Sequence, residues 1–91
     1  MDNELIKIIS NWAKKLYKNK FKIIIADRYL SIRDNNINII IENNIDQTIS
    51  VAVFKYLDSG AITYNIISDN LLPSDPKFFA NLDKIIKEEL C

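Results

Sequence analysis

Several residue types that enzymes depend on are missing or rare in this chain of 91 residues, which has no histidine, one cysteine and one glycine. Without histidine the chain lacks the commonest general base and metal ligand, so Ser-His and Cys-His nucleophile systems cannot form. The lone Cys91 excludes an internal disulfide framework and a cysteine-based zinc site. A single glycine, Gly60, cannot build a phosphate-binding loop of the P-loop or dinucleotide type. Most enzyme classes are therefore excluded.

Long apolar runs are also missing, and none approaches the roughly 20 residues of a transmembrane helix. The composition, 48% hydrophobic and 26% charged, is ordinary for a globular protein. The first ten residues, "MDNELIKIIS", lack the basic region and the cleavage site of a signal peptide. We therefore expect one folded domain over residues 1–91, in the cytoplasm and without a membrane partner. The abundance of isoleucine, asparagine and lysine reflects AT-rich codons and fits a virus, a mobile element or an AT-rich cell equally well.

The hydrophobic pattern predicts a helix at each end of the chain. In residues 4–19 the helical spacing places six apolar residues on one arc, with Ile6 and Tyr17 at its margin: Leu5, Ile8, Ile9, Trp12, Ala13 and Leu16. Near the other end, Ser74 or Asp75 is a candidate helix cap, with Pro76 in the first turn. The residues expected on the apolar face of this second helix are Phe78, Phe79, Leu82, Ile85, Ile86 and Leu90.

Between the helices the pattern predicts strands, because runs of isoleucine, valine and aromatic residues are broken by turn-forming residues. The turns fall at 34–36, 42–46 and 58–60, and the strands near 21–33, 37–42, 48–57 and 61–68. The first strand is long enough to be bent or split near Asp27 and Arg28. The expected fold is α+β with the order α-β-β-β-β-α: an antiparallel four-stranded meander with the N- and C-terminal helices packed on one face.

Three apolar segments end in a carboxylate: "FKIIIAD" at Asp27, "INIIIE" at Glu42 and "YNIISD" at Asp69. One or two such carboxylates hold Mg²⁺ in phosphoryl-transfer sites, so a carboxylate-magnesium site is one interpretation. In a four-stranded meander Asp27 would lie at the opposite end from the other two, which would themselves be roughly 9–10 Å apart. We therefore favour the interpretation that these acids mark strand ends, and expect no catalytic residue, metal or cofactor.

One strand carries apolar residues on both of its faces. If Ile49, Val51 and Val53 meet the helices, the alternating residues lie on an open face of the sheet. That face would carry Ala52, Phe54, Tyr56 and Ile67, and would be too apolar to remain in water without a protein partner or a second copy of the chain. The opposite register, which would place these residues in the core, is the alternative.

The net charge is zero, but it is unevenly distributed. Residues 1–33 contain eight basic and three acidic residues, whereas residues 34–91 contain four basic and nine acidic residues. A basic stripe is formed by Lys7, Lys14, Lys15, Lys18, Lys20 and Lys22. Such a stripe can follow a phosphate backbone or an acidic protein, or can simply be the solvated side of a helix. The presence of only two arginines argues against sequence-specific base contacts.

Two hypotheses follow. The first is a non-enzymatic protein-interaction domain, such as a small viral or mobile-element accessory protein that binds and modulates a host protein. The alternative is a nonspecific nucleic-acid-binding domain that uses the basic stripe.

Overall fold

The chain folds as a helix, five antiparallel strands and a second helix. The computed structural model describes residues 4–17 and 19–90. The elements are α1 (Glu4–Tyr17), β1 (Lys22–Ile25), β2 (Tyr29–Arg33), β3 (Ile37–Asn43), β4 (Ile49–Tyr56), β5 (Ile62–Leu71) and α2 (Phe78–Leu90). The strands form a single sheet in the order β1-β2-β3-β4-β5. Neither of the helices described is long and apolar enough to cross a membrane.

The segment predicted as one long strand is a hairpin, so the predicted number of four strands is wrong by one. The chain reverses at Asp27 and Arg28, where the Ala26 amide donates to the Tyr29 carbonyl at 2.9 Å. The two arms pair antiparallel, with Ile23 opposite Ile32. A single strand over residues 21–33 would be about 43 Å long, far longer than its neighbour β3. The hairpin keeps both arms on the sheet, and the α+β class with two terminal helices is confirmed.

The remaining turns have local causes. The Asp34 carboxylate accepts hydrogen bonds from the amides of Asn36 and Ile37, at 2.8 and 3.0 Å, and fixes the β2–β3 turn. Between β3 and β4, Gln47 has a φ of 70°. Between β4 and β5 the left-handed position is filled by Gly60, with a φ of 90°, where glycine has the lowest steric cost.

Both helices pack on the same face of the sheet. The strands supply alternating buried residues to this core: Leu30, Ile32, Ile37, Ile39, Ile41, Ile49, Val51 and Val53. The helices supply Ile9, Ala13 and Tyr17 from α1 and Phe78, Leu82 and Ile86 from α2. The burial of Ile49, Val51 and Val53 leaves the alternate residues of β4 on the face opposite the helices.

Helix α1 is rotated relative to the predicted arc. Ile8 and Leu16 are 53% and 54% exposed, whereas Ile6 and Tyr17 are buried. The rotation also buries Ser10, whose hydroxyl donates to the carbonyl of Ile6 at 2.6 Å and so needs no partner in the core. Hydrophobicity alone could not predict this, because it ranks serine as a surface residue.

The two helices contact each other through aromatic rings and one hydrogen bond. The ring centroids of Trp12 and Phe79 are 5.2 Å apart, so Trp12 packs between the helices. The Tyr17 hydroxyl donates to the Asp83 carboxylate, which also forms an ion pair with Lys87 at 3.0 Å. Burial, reinforced by Asp83, raises the pKa of the Tyr17 phenol. The hydrogen bond from Tyr17, together with Lys87, lowers the pKa of Asp83.

Candidate interaction surfaces

The face of the sheet opposite the helices, called here the open face, carries a cluster of apolar and aromatic side chains. In an antiparallel sheet, directly opposed residues share a face. Across β4 and β5 the opposed pairs are Ala52 with Ile66, Phe54 with Tyr64, and Tyr56 with Ile62. We call these six residues the apolar patch.

The apolar patch is exposed mainly along β5. Ile62, Tyr64 and Ile66 are 60%, 53% and 57% exposed. The rings of Phe54 and Tyr64 lie against each other with centroids 4.7 Å apart and planes inclined at 39°. A contiguous group of large apolar side chains in water, rather than scattered single ones, marks an interaction surface.

A hollow of about 120 Å³ opens on the same face. Its apolar lining includes Ile40, Tyr64 and Ile66, and Ala52 also lines it with a side chain too short to fill the space between its neighbours. The polar lining is Glu42, Ser50 and Asp69, so two carboxylates border the hollow. A cavity of roughly 150 Å³ holds a benzene molecule, and the hollow is therefore of the right size for one apolar side chain.

The structure brings three of the four predicted face residues together. Ala52, Phe54 and Tyr56 all belong to the apolar patch. Ile67 does not, because it is the extra residue of a β-bulge: Ile66 lies opposite Ala52 and Ser68 lies opposite Val51, which leaves Ile67 without a directly opposed residue.

Sequence reasoning missed the contribution of Ile62, Tyr64 and Ile66 to the open face. These residues alternate with the polar Thr63 and Asn65, so hydrophobicity alone would turn them toward the core. The signal that identifies them is the turn, because the hydrogen bond from the Leu57 amide to the Ala61 carbonyl closes the hairpin in the register that places Ile62 opposite Tyr56.

The strand-end acids Asp27, Glu42 and Asp69 are placed in the sheet differently from the four-stranded prediction. Because residues 21–33 form a hairpin, the Asp27 turn lies at the same end of the sheet as Glu42, which is opposite Tyr29. The prediction that Asp27 lies at the opposite end is therefore wrong. Among residues 4–17 and 19–90, no group of three or more Asp, Glu, His or Cys side chains is arranged to hold a metal ion. Glu42 and Asp69 instead border the hollow on the open face.

The basic stripe follows α1 and continues into β1. Lys7, Lys14, Lys15, Lys20 and Lys22 are exposed, and Lys18 lies outside the described residues. The ion pairs found among the described residues, Lys55 with Glu89 and Lys87 with Asp83, involve none of these five lysines. A shallow groove beside α1 is lined by Lys14, Lys15, Phe21, Lys22 and Ile23. Three lysines and one aromatic ring therefore share a concave surface.

Comparisons of this chain with protein-family models, with curated proteins and with solved structures give no match. The chemistry of these surfaces is therefore the basis for inferring a function.

Proposed function

We propose that this chain is a non-enzymatic protein-interaction domain whose open face docks onto a protein partner. The observation that carries the proposal is the apolar patch, in which Ile62, Tyr64 and Ile66 are each more than half exposed on one sheet face. Burying such side chains gains about 25 cal/mol for each Å² of apolar surface removed from water. Aromatic residues such as Tyr64 are also enriched among the residues that contribute most to binding.

The lining of the hollow in the open face indicates which side chains of a partner would bind there. An apolar side chain would enter it, and the carboxylates of Glu42 and Asp69 at its border favour a lysine or arginine beside that side chain. The preferred partner surface is thus an apolar residue flanked by basic ones. In one version of the proposal, with which the AT-rich residue usage is compatible, a viral or mobile-element accessory protein binds and modulates a host protein.

The test is affinity capture with matched variants. The tagged wild type, Phe54→Ser/Tyr56→Ser and the control Ile8→Ser/Leu16→Ser are compared, since the control removes apolar residues exposed on α1 instead of the open face. We expect one partner to be recovered with the wild type and the control and lost with the open-face variant. Far-UV circular dichroism checks that all three chains are folded. Equal recovery by both variants would exclude the open face as the binding site.

Charge reversal tests the role of the acidic border. Glu42→Lys/Asp69→Lys should weaken capture of the same partner at least tenfold, and more at low than at high salt, because it turns the attraction of the border for basic groups into repulsion. Unchanged binding would show that the partner is not recognised through basic residues next to the hollow.

Nonspecific nucleic-acid binding is a second candidate function, and the groove between α1 and β1 favours it. Lysines that follow a phosphate backbone, with an aromatic ring on which bases stack, form a common surface for single strands. In the groove Lys14, Lys15 and Lys22 supply the charge and Phe21 supplies the ring. Binding through lysines alone would be weak, independent of sequence and strongly dependent on salt.

Fluorescence anisotropy of labelled single- and double-stranded oligonucleotides, titrated at low and near-physiological salt, tests this second function. We expect Lys14→Glu/Lys22→Glu to abolish binding and Lys77→Glu/Lys84→Glu, which makes the same change in net charge at residues that do not line the groove, to preserve most of it. If both variants lose the same amount, the effect belongs to net charge and not to the groove.

A further inference from the structure

We propose that two copies of the chain pair through the free edge of β5, in an antiparallel register centred on Tyr64. This inference rests on the proposed function, because the strand edge that pairs is also the outer margin of the apolar patch. Its partner there is a second copy of the chain. Strand β5 lies at the end of the sheet order and spans ten residues, Ile62–Leu71. Its outward backbone groups are a template for another strand.

The hydrogen-bond alternation identifies the backbone groups that point outward. The Tyr56 amide donates to the Asn36 carbonyl at 2.9 Å, toward β3, and the Leu57 amide donates to the Ala61 carbonyl at 2.8 Å, toward β5. Because this direction alternates along a strand, Thr63 and Asn65 direct their amide and carbonyl groups toward β4. Ile62, Tyr64 and Ile66 therefore present theirs at the free edge.

These three outward residues are symmetric about the middle one. With the two-fold axis at Tyr64, that residue lies opposite its counterpart in the second copy and Ile62 lies opposite Ile66, so every outward amide and carbonyl of the three finds a partner. The same register places Thr63 opposite Asn65 on the helix side. The bulge at Ile67 ends the regular part of the edge just beyond this segment.

Up to the bulge at Ile67, the edge lacks the charged residues and prolines by which proteins prevent such pairing. Residues 61–68 include no charged residue and no proline. The other edge of the sheet differs, since β1 has only four residues and its segment carries Lys20 and Lys22. Of the two edges, β5 is therefore the one open to another strand.

The dimer leaves the proposed docking face accessible. Pairing buries the outer sides of Ile62, Tyr64 and Ile66, while the hollow stays open in each copy and the two apolar patches become continuous across the axis. Because a five-residue edge contact is at the small end of specific interfaces, we expect a dimer that forms reversibly in the micromolar range.

Sedimentation equilibrium from micromolar to millimolar protein tests the proposal with charges placed on the helix side of β5. Thr63→Glu/Asn65→Glu brings like charges opposite each other across the axis, whereas Thr63→Glu/Asn65→Lys brings opposite charges together only in the proposed register. Lys55, opposite Thr63 on β4, offsets the introduced carboxylate within each chain. The control Asn11→Glu/Asn81→Glu adds the same charge at exposed helix positions.

We expect the wild type and the control to dimerise, the like-charge variant to dimerise at least tenfold more weakly, and the opposite-charge variant to match or exceed the wild type. A wild type that stays monomeric at millimolar concentration overturns the proposal. A dimer that survives the like-charge variant but is lost in Phe54→Ser/Tyr56→Ser overturns it in favour of face-to-face packing. Because residues 63 and 65 lie away from the open face, failure of edge pairing leaves the partner-capture test unaffected.

Amide hydrogen exchange of the wild type provides a measurement that needs no variant. The amides of Ile62, Tyr64 and Ile66 should become more protected as the protein concentration rises, whereas those of Thr63 and Asn65 should be protected at every concentration. Protection of the outward amides that does not depend on concentration would contradict the dimer.

Discussion

The hydrogen bond between the helices offers a quantitative test of how the two ends of the chain are held together. The substitution Tyr17→Phe retains the ring of a residue that is only 7% exposed and removes the hydroxyl that donates to Asp83. Because the ring is retained, the change in the free energy of unfolding reports mainly the loss of the hydroxyl and its hydrogen bond. A matched control is Tyr29→Phe, which removes the hydroxyl of an exposed tyrosine on β2.

The expected loss is modest. Hydrogen bonds to charged groups contribute about 1.5–3 kcal/mol when buried. Asp83 is partly open to water and keeps its ion pair with Lys87, so we expect about 1 kcal/mol for Tyr17→Phe. In a domain of this size that corresponds to a decrease of roughly 4–8 °C in Tm. Chemical denaturation and thermal unfolding, followed by circular dichroism, measure both quantities.

The pH dependence gives a sharper test, because the difference in stability between the wild type and Tyr17→Phe should change at high pH. Since the pKa of Tyr17 is raised in the folded state, the unfolded chain loses the phenol proton first as the pH rises past its ordinary value of about 10. The wild type should therefore lose stability relative to Tyr17→Phe as the pH rises from 10 to 11. We expect the wild type to be more stable at neutral pH and the variant to be as stable or more stable at pH 11.

At acidic pH the wild type should lose stability as the pH falls, because of Asp83. The lowered pKa of Asp83 contributes stability above its ordinary value of about 3.9, and this contribution disappears as the pH falls through the folded-state value. A double-mutant cycle with Asp83→Asn should give a coupling of about 1 kcal/mol at pH 7. A coupling near zero, or a stability difference that stays constant from pH 7 to pH 11, would refute the assignment of this hydrogen bond.

Two further predictions concern stability. The Oδ1 atom of Asn43 is buried without a hydrogen-bond partner among the described residues. Asn43→Leu should therefore raise the free energy of unfolding, measured by urea denaturation, by about 1 kcal/mol. A decrease would show that the side-chain carbonyl of Asn43 is satisfied. Gly60 has a φ of 90° and open space where a Cβ would lie. Gly60→Ala should therefore lower the free energy of unfolding by about 1–2 kcal/mol from backbone strain alone. A variant as stable as the wild type would contradict the left-handed turn.

The alternation along β4 predicted its two faces, although both carry apolar residues. Ile49, Val51 and Val53 alternate with Ser50, Ala52 and Phe54, and the interpretation that turned the three β-branched residues toward the helices agrees with their burial. The long apolar run from Phe21 predicted one strand, bent or split near Asp27 and Arg28, but not a hairpin, because the reversal there uses neither glycine nor proline. Length was the signal available, since strands rarely exceed about ten residues.

The candidate site was only partly predictable because half of it lies on β5. There the hydrophobic pattern and the register disagree: Ile62, Tyr64 and Ile66 face water while Thr63 and Asn65 face the helix side. Pairing with β4 through a short turn determines which residues of β5 lie on the open face. The bulge leaves Ile67 outside the apolar patch. Apolar residues that remain exposed on a sheet face cannot be found by a rule based on burying apolar residues.

The order of the strands has a consequence for folding kinetics. Every strand is hydrogen-bonded to its immediate neighbours in the chain, so the sheet can form by successive hairpins that close short loops. The contact between Tyr17 and Asp83 joins residues 66 positions apart, and its loop-closure entropy is offset only once the sheet exists. Docking of the two helices against each other is thus expected late in folding, and Tyr17→Phe should accelerate unfolding while leaving the folding rate almost unchanged.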